Sequence, residues 1–168
     1  MGEQITREAG RVLLVDAADR VLLFCGADSQ RPEDGRFWFT PGGGLDDGET
    51  HAQGAVRELA EETGLAGVTP AELGLPVWER DCTFEFEAMT FRQHELFFLL
   101  RVDAHVVDVS GFSELEQRTV HDYHWWPVAE LLETTEVVFP TSLGTELERL
   151  LREGAPPAPR RVVSDDGV

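Results

Sequence analysis

Positive charge is scarce in this chain. Lys and Arg together number 14 against 32 Asp plus Glu, for a formal net charge of −18 and a sequence pI of about 4.5. So acidic a surface repels phosphate backbones, which excludes a nucleic-acid partner and argues against docking on anionic lipid. Long apolar runs are missing too. No stretch of about 18 apolar residues exists, so no membrane span is expected. Met1 to Arg11 lacks the apolar middle of a secretory signal. Cysteine is limited to Cys25 and Cys82, too few for a disulfide framework or a four-cysteine zinc site. Each sits in an apolar or alternating stretch and reads as a small buried hydrophobe. A reduced, cytoplasmic setting is the expectation. Met1-Gly2 with Thr6 fits the short myristoylation pattern, but one acyl chain beside an acidic body would anchor weakly.

What remains suffices for one core: 42% of the 168 residues are hydrophobic, a length that favours a single domain. Gly10–Asp16 reads as a buried strand that turns at Ala17–Arg20 into Val21–Cys25. Arg36–Thr40 is a short aromatic strand ended by Pro41. Trp78–Phe86 and Thr90–Val102 read as two strands of a hairpin, and Asp122–Trp126 as a further strand. Ser110–Gln117 reads as a polar loop. Pro127 opens a short helix in its first turn, and Ser142–Leu151 is an amphipathic helix with Leu143, Leu147, Leu150 and Leu151 on one face. Strands in hairpins with a few helices predict an α+β or mixed α/β domain over residues 10–153. Residues 1–9 are expected to be a flexible N-terminus. The Pro-rich, polar residues 154–168 are expected to be a disordered tail.

The chemistry concentrates between Gly43 and Leu65. Thr50 and Gln53 form a capping box, and Gly64 stops the helix they open. At about 100° per residue, Ala52, Ala55, Val56, Leu59 and Ala60 share one side, and Glu58, Glu61 and Glu62 share another. Gly54 lies one turn below Glu58 and leaves room for a loop against the carboxylates. This clustering is locally unfavourable. Like charges three or four residues apart cost a few tenths of a kcal/mol per pair, and Glu61 and Glu62 crowd the wrong end of the helix dipole. Arg57 offsets part of that. A divalent cation removes the rest, and oxygen-only ligands select a hard ion such as Mg²⁺ or Mn²⁺. The sequence RELAEE alone is usually no more than a solvated face. Three glycines, Gly42, Gly43 and Gly44, change the reading, because they let backbone approach an ion or phosphate closely. Glu49 stands just before the cap and can reach back to the same place.

Gly43, Glu49, Arg57, Glu58, Leu59, Glu61, Glu62, Gly64 and Leu65 together resemble the signature of the Nudix hydrolase family, with no position missing. Nine fixed positions over twenty-three residues make the match highly specific, although it covers only about a seventh of the chain. Trp38-Phe39-Thr40-Pro41-Gly42 ahead of it is similar to the family as well. The resemblance implies an α/β/α sandwich with a mixed central sheet. It further implies Mg²⁺-dependent hydrolysis, by a metal-activated water, of a pyrophosphate bond in a nucleoside diphosphate linked to another group. Glu58, Glu61 and Glu62 would bind the metal with the Gly43 carbonyl, Glu49 would support the loop, and Arg57 would orient the glutamates. The general base would be a box glutamate or a downstream acid: Glu95, Glu114 or Glu116. Glu116 is favoured because a loop near the metal can swing over substrate. Phe37, Phe39, Trp78, Phe84 and Phe86 are candidates for a base pocket, and Arg11, Arg36, Arg80 and Arg92 for phosphate or sugar contacts. The five histidines show no metal-ligand spacing on one helix, and His94, His121 and His124 read as structural or peripheral.

The resemblance leaves two alternatives: a nucleotide-sensing module that does not cleave, and an isomerase of isoprenyl diphosphates. The complete box counts against both. Subclass markers are absent. Pro70 and Pro76 lie too close to the box to mark an ADP-ribose hydrolase, and Tyr123 is the only tyrosine, so the marker tyrosine of dinucleoside polyphosphate hydrolases is missing. A coenzyme-A hydrolase motif is missing too. A nucleoside triphosphate or derivative is the default substrate class, and the oligomeric state stays open, a homodimer included.

Overall fold

The runs Val12–Val15 and Val21–Cys25 are apolar at every position because both of their faces are covered. The structure, a computed structural model, describes residues 3–162. Strand β1 (Gln4–Val15) sends Val12 and Leu14 to one face and Leu13 and Val15 to the other, and β2 (Arg20–Ala27) divides Leu22 and Phe24 from Val21 and Leu23 in the same way. Helix α1 (His51–Thr63) covers the first face with Ala55 and Leu59, joined by Leu73 of the one-turn α2 (Pro70–Leu73). Helix α5 (Leu143–Glu153) covers the second with Leu143, Leu147 and Leu150, beside Leu131 of α4 (Val128–Glu133). The result is the expected α/β/α sandwich.

The sheet is mixed and nine-stranded. Its order is β8 (Val138–Phe139), β3 (Arg36–Phe39), β2, β1, β6 (Met89–Arg101), β5 (Trp78–Phe86), β9 (Arg160–Arg161). Off that path, β7 (Val120–Pro127) pairs with β2, and β4 (Gly42–Gly44) with β1. The β5–β6 hairpin is antiparallel, as expected, with Trp78 opposite Phe97 and Phe86 opposite Met89.

Three expectations need correction. Residues 4–9 are not a flexible lead-in: β1 starts at Gln4 and runs parallel to β6 from Gln4–Thr90 to Val15–Arg101. This half of the strand is polar and partly solvated, so it shows no apolar run. Cross-strand contacts such as Arg7 with Gln93 and Glu8 with His94 tie it down. The segment after 153 is also ordered as far as it is described. There β9 pairs with β5, Val162 is buried in the core, and Arg160 and Arg161 reach Glu146 and Asp81 at 2.6 Å each. Finally, the polar loop after Ser110 contains a one-and-a-half-turn helix, α3 (Glu114–Thr119), closed by a Ser113–Glu116 capping box. The remainder of the expected tail, 163–168, and the Met1-Gly2 pair of the myristoylation pattern lie outside the described residues.

Core position decides tolerance here. Leu147→Ala, at a fully buried site, should cost about 2–5 kcal/mol, whereas Leu132→Ala, 48% exposed, should stay within about 0.5 kcal/mol. Chemical denaturation of the two variants beside the wild type checks the contrast.

Candidate active site

The helix that carries the acidic cluster is framed as its sequence requires. Thr50 Oγ1 accepts from the Gln53 amide at 3.1 Å while Gln53 Oε1 accepts from the Thr50 amide at 2.9 Å, and Gly64 adopts the left-handed conformation (φ 76°) that ends it. Strand β4 then lies along β1, with Gly10 opposite Gly43. Two glycines permit the approach. A β-carbon on Gly42 would stand 2.3 Å from the Gly10 carbonyl oxygen, and one on Gly43 would stand 2.9 Å from Glu58 Oε1. The loop contact expected at Gly54 is present as well: Leu45 Cδ2 sits where its β-carbon would be.

Arg57 organises the outer side of the cluster. Its Nε and Nη2 donate to the two oxygens of Glu49 at 2.8 and 3.0 Å, and Nη2 also donates to the Gly44 carbonyl at 3.1 Å. Nη1 donates to Glu58 at 3.1 Å and reaches Glu61 at 3.5 Å. Bonding to Glu49 raises the guanidinium's already high pKa, and burial only partly opposes it. Glu49 thus braces Arg57, and Arg57 sets Glu58 and Glu61.

The inner side is different. Glu62 is 2% exposed, and one of its oxygens accepts from the Gly42 amide at 3.1 Å. Oxygens of Glu58, Glu62 and Glu116 all lie within 4.8 Å of one another. Burial, then the neighbouring Glu58 and Glu116, push the Glu62 carboxyl well above its ordinary range. Glu61 stands apart, 48% exposed on Arg57, with its own pKa raised by burial and by Glu58. Three buried or half-buried carboxylates without a cation between them are unfavourable. All the donors are oxygen, which fits a hard divalent ion.

Glu116 reaches this place because the loop before α3 is clamped to α1. Asp108 N donates to the Thr63 carbonyl at 2.9 Å, and Phe112 packs edge-on to Phe24 at 5.6 Å. Gly111 comes so close to the Glu61 carbonyl that a β-carbon there would be 2.4 Å away. Glu95 faces the same cleft but is fully engaged. Arg80 and Arg11 donate to its two oxygens at 2.8 and 2.7 Å, and Gln93 adds a bond at 2.7 Å. Burial opposes its ionisation, yet Arg11 and Arg80 hold its pKa below the ordinary value. It serves as a counter-ion. Glu114 is exposed at the start of α3 and belongs to none of the ligating clusters among the described residues.

Beside the carboxylates opens a cleft of about 490 Å³. Of the expected aromatic residues, Phe37, Phe39, Phe84 and Phe86 line it, whereas Trp78 is buried in the core against Phe97. Phe97 and Phe139 line it as well, the latter 5.8 Å from Phe37. Arg11, Arg36 and Arg80 line the cleft as expected; Arg92 is not among its walls. Arg7 was not foreseen. It lies over the Phe91 ring at 4.5 Å, and burial lowers its pKa to about 10, so it stays charged at neutral pH. Among the described residues it is the cleft arginine with no acidic partner within 4.0 Å; its Nε donates to Gln93 instead. A polar strand start gave no signal for it.

A model of the NUDIX domain matches residues 5–143. An RNA pyrophosphohydrolase of Novosphingobium aromaticivorans is 46% identical over 55 residues, which cover 33% of this chain and 32% of that protein. An uncharacterized Nudix hydrolase of Yersinia pestis is 30% identical over 80 residues, 48% of this chain and 44% of its own. The chain therefore spans from about a third to less than half of these curated relatives. The MutT protein of Methanosarcina mazei Go1 superposes with a TM-score of 0.59 at 21% identity, over 90% of this chain and 96% of that one. A C. elegans Ap4A hydrolase gives 0.58 at 17%, over 88% and 98%. At such identities the two structures show a shared fold.

The raised Glu62 pKa has a testable sign. A folded-state pKa above the ordinary 4.5 means that the metal-free fold binds this proton more tightly than the unfolded chain. This contribution to stability is present at low pH and is lost as pH rises through the folded value. Glu62→Gln removes the conflict. Without metal near pH 8 it should melt about 2–4 °C above the wild type, the shift that ~1 kcal/mol gives at this chain length. Mg²⁺ should raise the wild-type Tm and leave that of the variant nearly unmoved. Identical melting curves for the two proteins at both about pH 5 and about pH 8 would contradict the assignment.

Proposed function

Since the chain belongs to the NUDIX family, we propose that it is a divalent-metal-dependent hydrolase of pyrophosphate bonds in small nucleotides, with a nucleoside triphosphate or derivative as the default substrate. The convergence of Glu58, Glu62 and Glu116 at the mouth of a cleft that also holds arginines and aromatic rings supports this reading. Held among these carboxylates, Mg²⁺ or Mn²⁺ would neutralise phosphate charge and lower the pKa of a water. In this reading Glu58 and Glu62 hold the ion with the Gly43 backbone, and Glu61 flanks them. Glu49 and Arg57 are positioning residues. Glu116 accepts the proton of the attacking water. It is anchored through its own capping box, and unlike Glu95 it carries no arginine on its oxygens in the described structure. Arg7 supplies the unpaired positive charge that a phosphate chain meets in the cleft. Phe37, Phe39 and Phe139 offer ring faces on which a base stacks.

The charge of −18 selects the size of substrate. A short polyphosphate meets the metal and Arg7 locally, while a long RNA backbone meets the repulsive surface at every step. The relatives named RNA pyrophosphohydrolase share only about a third of their length with this chain, so a triphosphate-ended RNA belongs in the test.

Nucleoside triphosphates, nucleotide sugars, dinucleoside polyphosphates and a 5′-triphosphorylated RNA oligonucleotide should be screened with Mg²⁺ for released phosphate and pyrophosphate. A small nucleotide should turn over, and Glu116→Gln should lower its kcat by about 10²–10⁴-fold with little change in KM. Undiminished turnover in Glu116→Gln would remove it as the base. Tight nucleotide binding without turnover in Mg²⁺ or Mn²⁺ would replace the enzyme by a sensing module.

A further inference from the structure

A second group of ligating side chains stands outside the cleft and takes no part in the chemistry above. Glu8 on β1 and His94 on β6 are register partners in the parallel pair, and His51 is the first residue of α1. Glu8 Oε2 lies 3.0 Å from His51 Nε2 and 2.6 Å from His94 Nδ1, and the two imidazole rings meet edge to face at 5.9 Å. The three elements are fixed to one another nearby. The Leu45 amide donates to the Glu8 carbonyl at 3.0 Å, and the His51 carbonyl presses on Gly10, where a β-carbon would be 2.4 Å from it. The other nitrogen of His94, Nε2, is 2.9 Å from Glu79 Oε2, and Arg161 steadies Glu79 from 3.3 Å.

We propose that Glu8, His51 and His94 form a binding site for Zn²⁺ or a similar borderline transition ion, separate from the carboxylate cluster. Two imidazoles and a carboxylate suit such ions rather than Mg²⁺. Tetrahedral Zn²⁺ with bonds of about 2.0–2.2 Å holds neighbouring ligand atoms about 3.3 Å apart. The present separations of 3.0 and 2.6 Å therefore need only small outward shifts. Glu79 supplies the carboxylate that orients a ligating imidazole through its second nitrogen. Three protein ligands leave the fourth position to water.

Each nitrogen of His94 faces a carboxylate, Glu8 on one side and Glu79 on the other. Asp81 is nearby, and Arg161 pairs with both Glu79 and Asp81. Despite the opposing effect of burial, these acids raise the pKa of His94. Metal binding at Nδ1 displaces its proton to solvent, while Nε2 keeps its proton and donates it to Glu79. Affinity should therefore rise with pH through the His94 titration. The bound ion would tie β1 and β6 to the start of the helix that carries Glu58.

Zn²⁺ should be titrated calorimetrically into the full chain with Mg²⁺ in large excess, in two buffers of different protonation enthalpy. The wild type should take up one equivalent of Zn²⁺ with proton release and melt at a higher temperature. His51→Ala and His94→Gln should lose that equivalent, and Glu8→Gln should bind at least tenfold more weakly. Imidazole nitrogen resonances of the wild type give a readout that needs no variant: those of His51 and His94 should move. No Mg²⁺-resistant uptake, uptake kept by the histidine variants, or shifts confined to the other three histidines would overturn the site.

Discussion

Arg57 lets carboxylates crowd one face of a short helix and the loop before it. Its five donors bind both oxygens of Glu49, reach Glu58 and Glu61, and hold the Gly44 carbonyl. A lysine, with a single compact ammonium, could not span that fan. The guanidinium serves only the outer side. Toward the sheet, Glu62 is left with one backbone amide and two acidic neighbours. That residual imbalance shapes the rest of the site. It favours a bound cation, and the Gly42 amide lies against Glu62; in the proposed reading that ion would let a polyphosphate approach a strongly acidic protein.

The two apolar layers exist, in functional terms, to hold this geometry still. Ala55 and Leu59 seat α1 on the sheet, so Glu58 and Glu62 project toward β4 and α3 rather than into solvent. The segment after β6 is then folded back over the C-terminal turn of α1. Its close contact at Gly111 and the Phe112–Phe24 packing bring Glu116 in from about sixty residues away in sequence. The pairing of Glu95 with Arg11 and Arg80 forms a buried polar floor under the cleft. Such a floor costs desolvation and returns fixed orientation.

Much of this was legible in the sequence because it is local. The capping box, the glycine stop, the unbroken apolar runs Val12–Val15 and Val21–Cys25 and the leucine face of α5 are all written within a few residues. Even α3 carried its signal, Ser113 three residues before Glu116, although the polarity around it read as a loop. What could not be read is built from partners distant in sequence. Residues 4–9 became a strand only because β6 lies beside them. Val162 is buried only because β5 offers an edge. Arg7 reaches the cleft, and Glu95 finds Arg11, through the parallel β1–β6 register, which no spacing rule exposes. His51 and His94 likewise meet only in the fold.

Everything proposed for the cleft depends on the acidic cluster being a divalent-cation site. Crystals of the protein grown with Mn²⁺, and anomalous difference maps recorded from them, test it most directly. Mn²⁺ density is expected among the carboxylates of Glu58, Glu62 and Glu116, beside the backbone of Gly43. A fully occupied Mn²⁺ elsewhere, with no density between those three side chains, would overturn that reading.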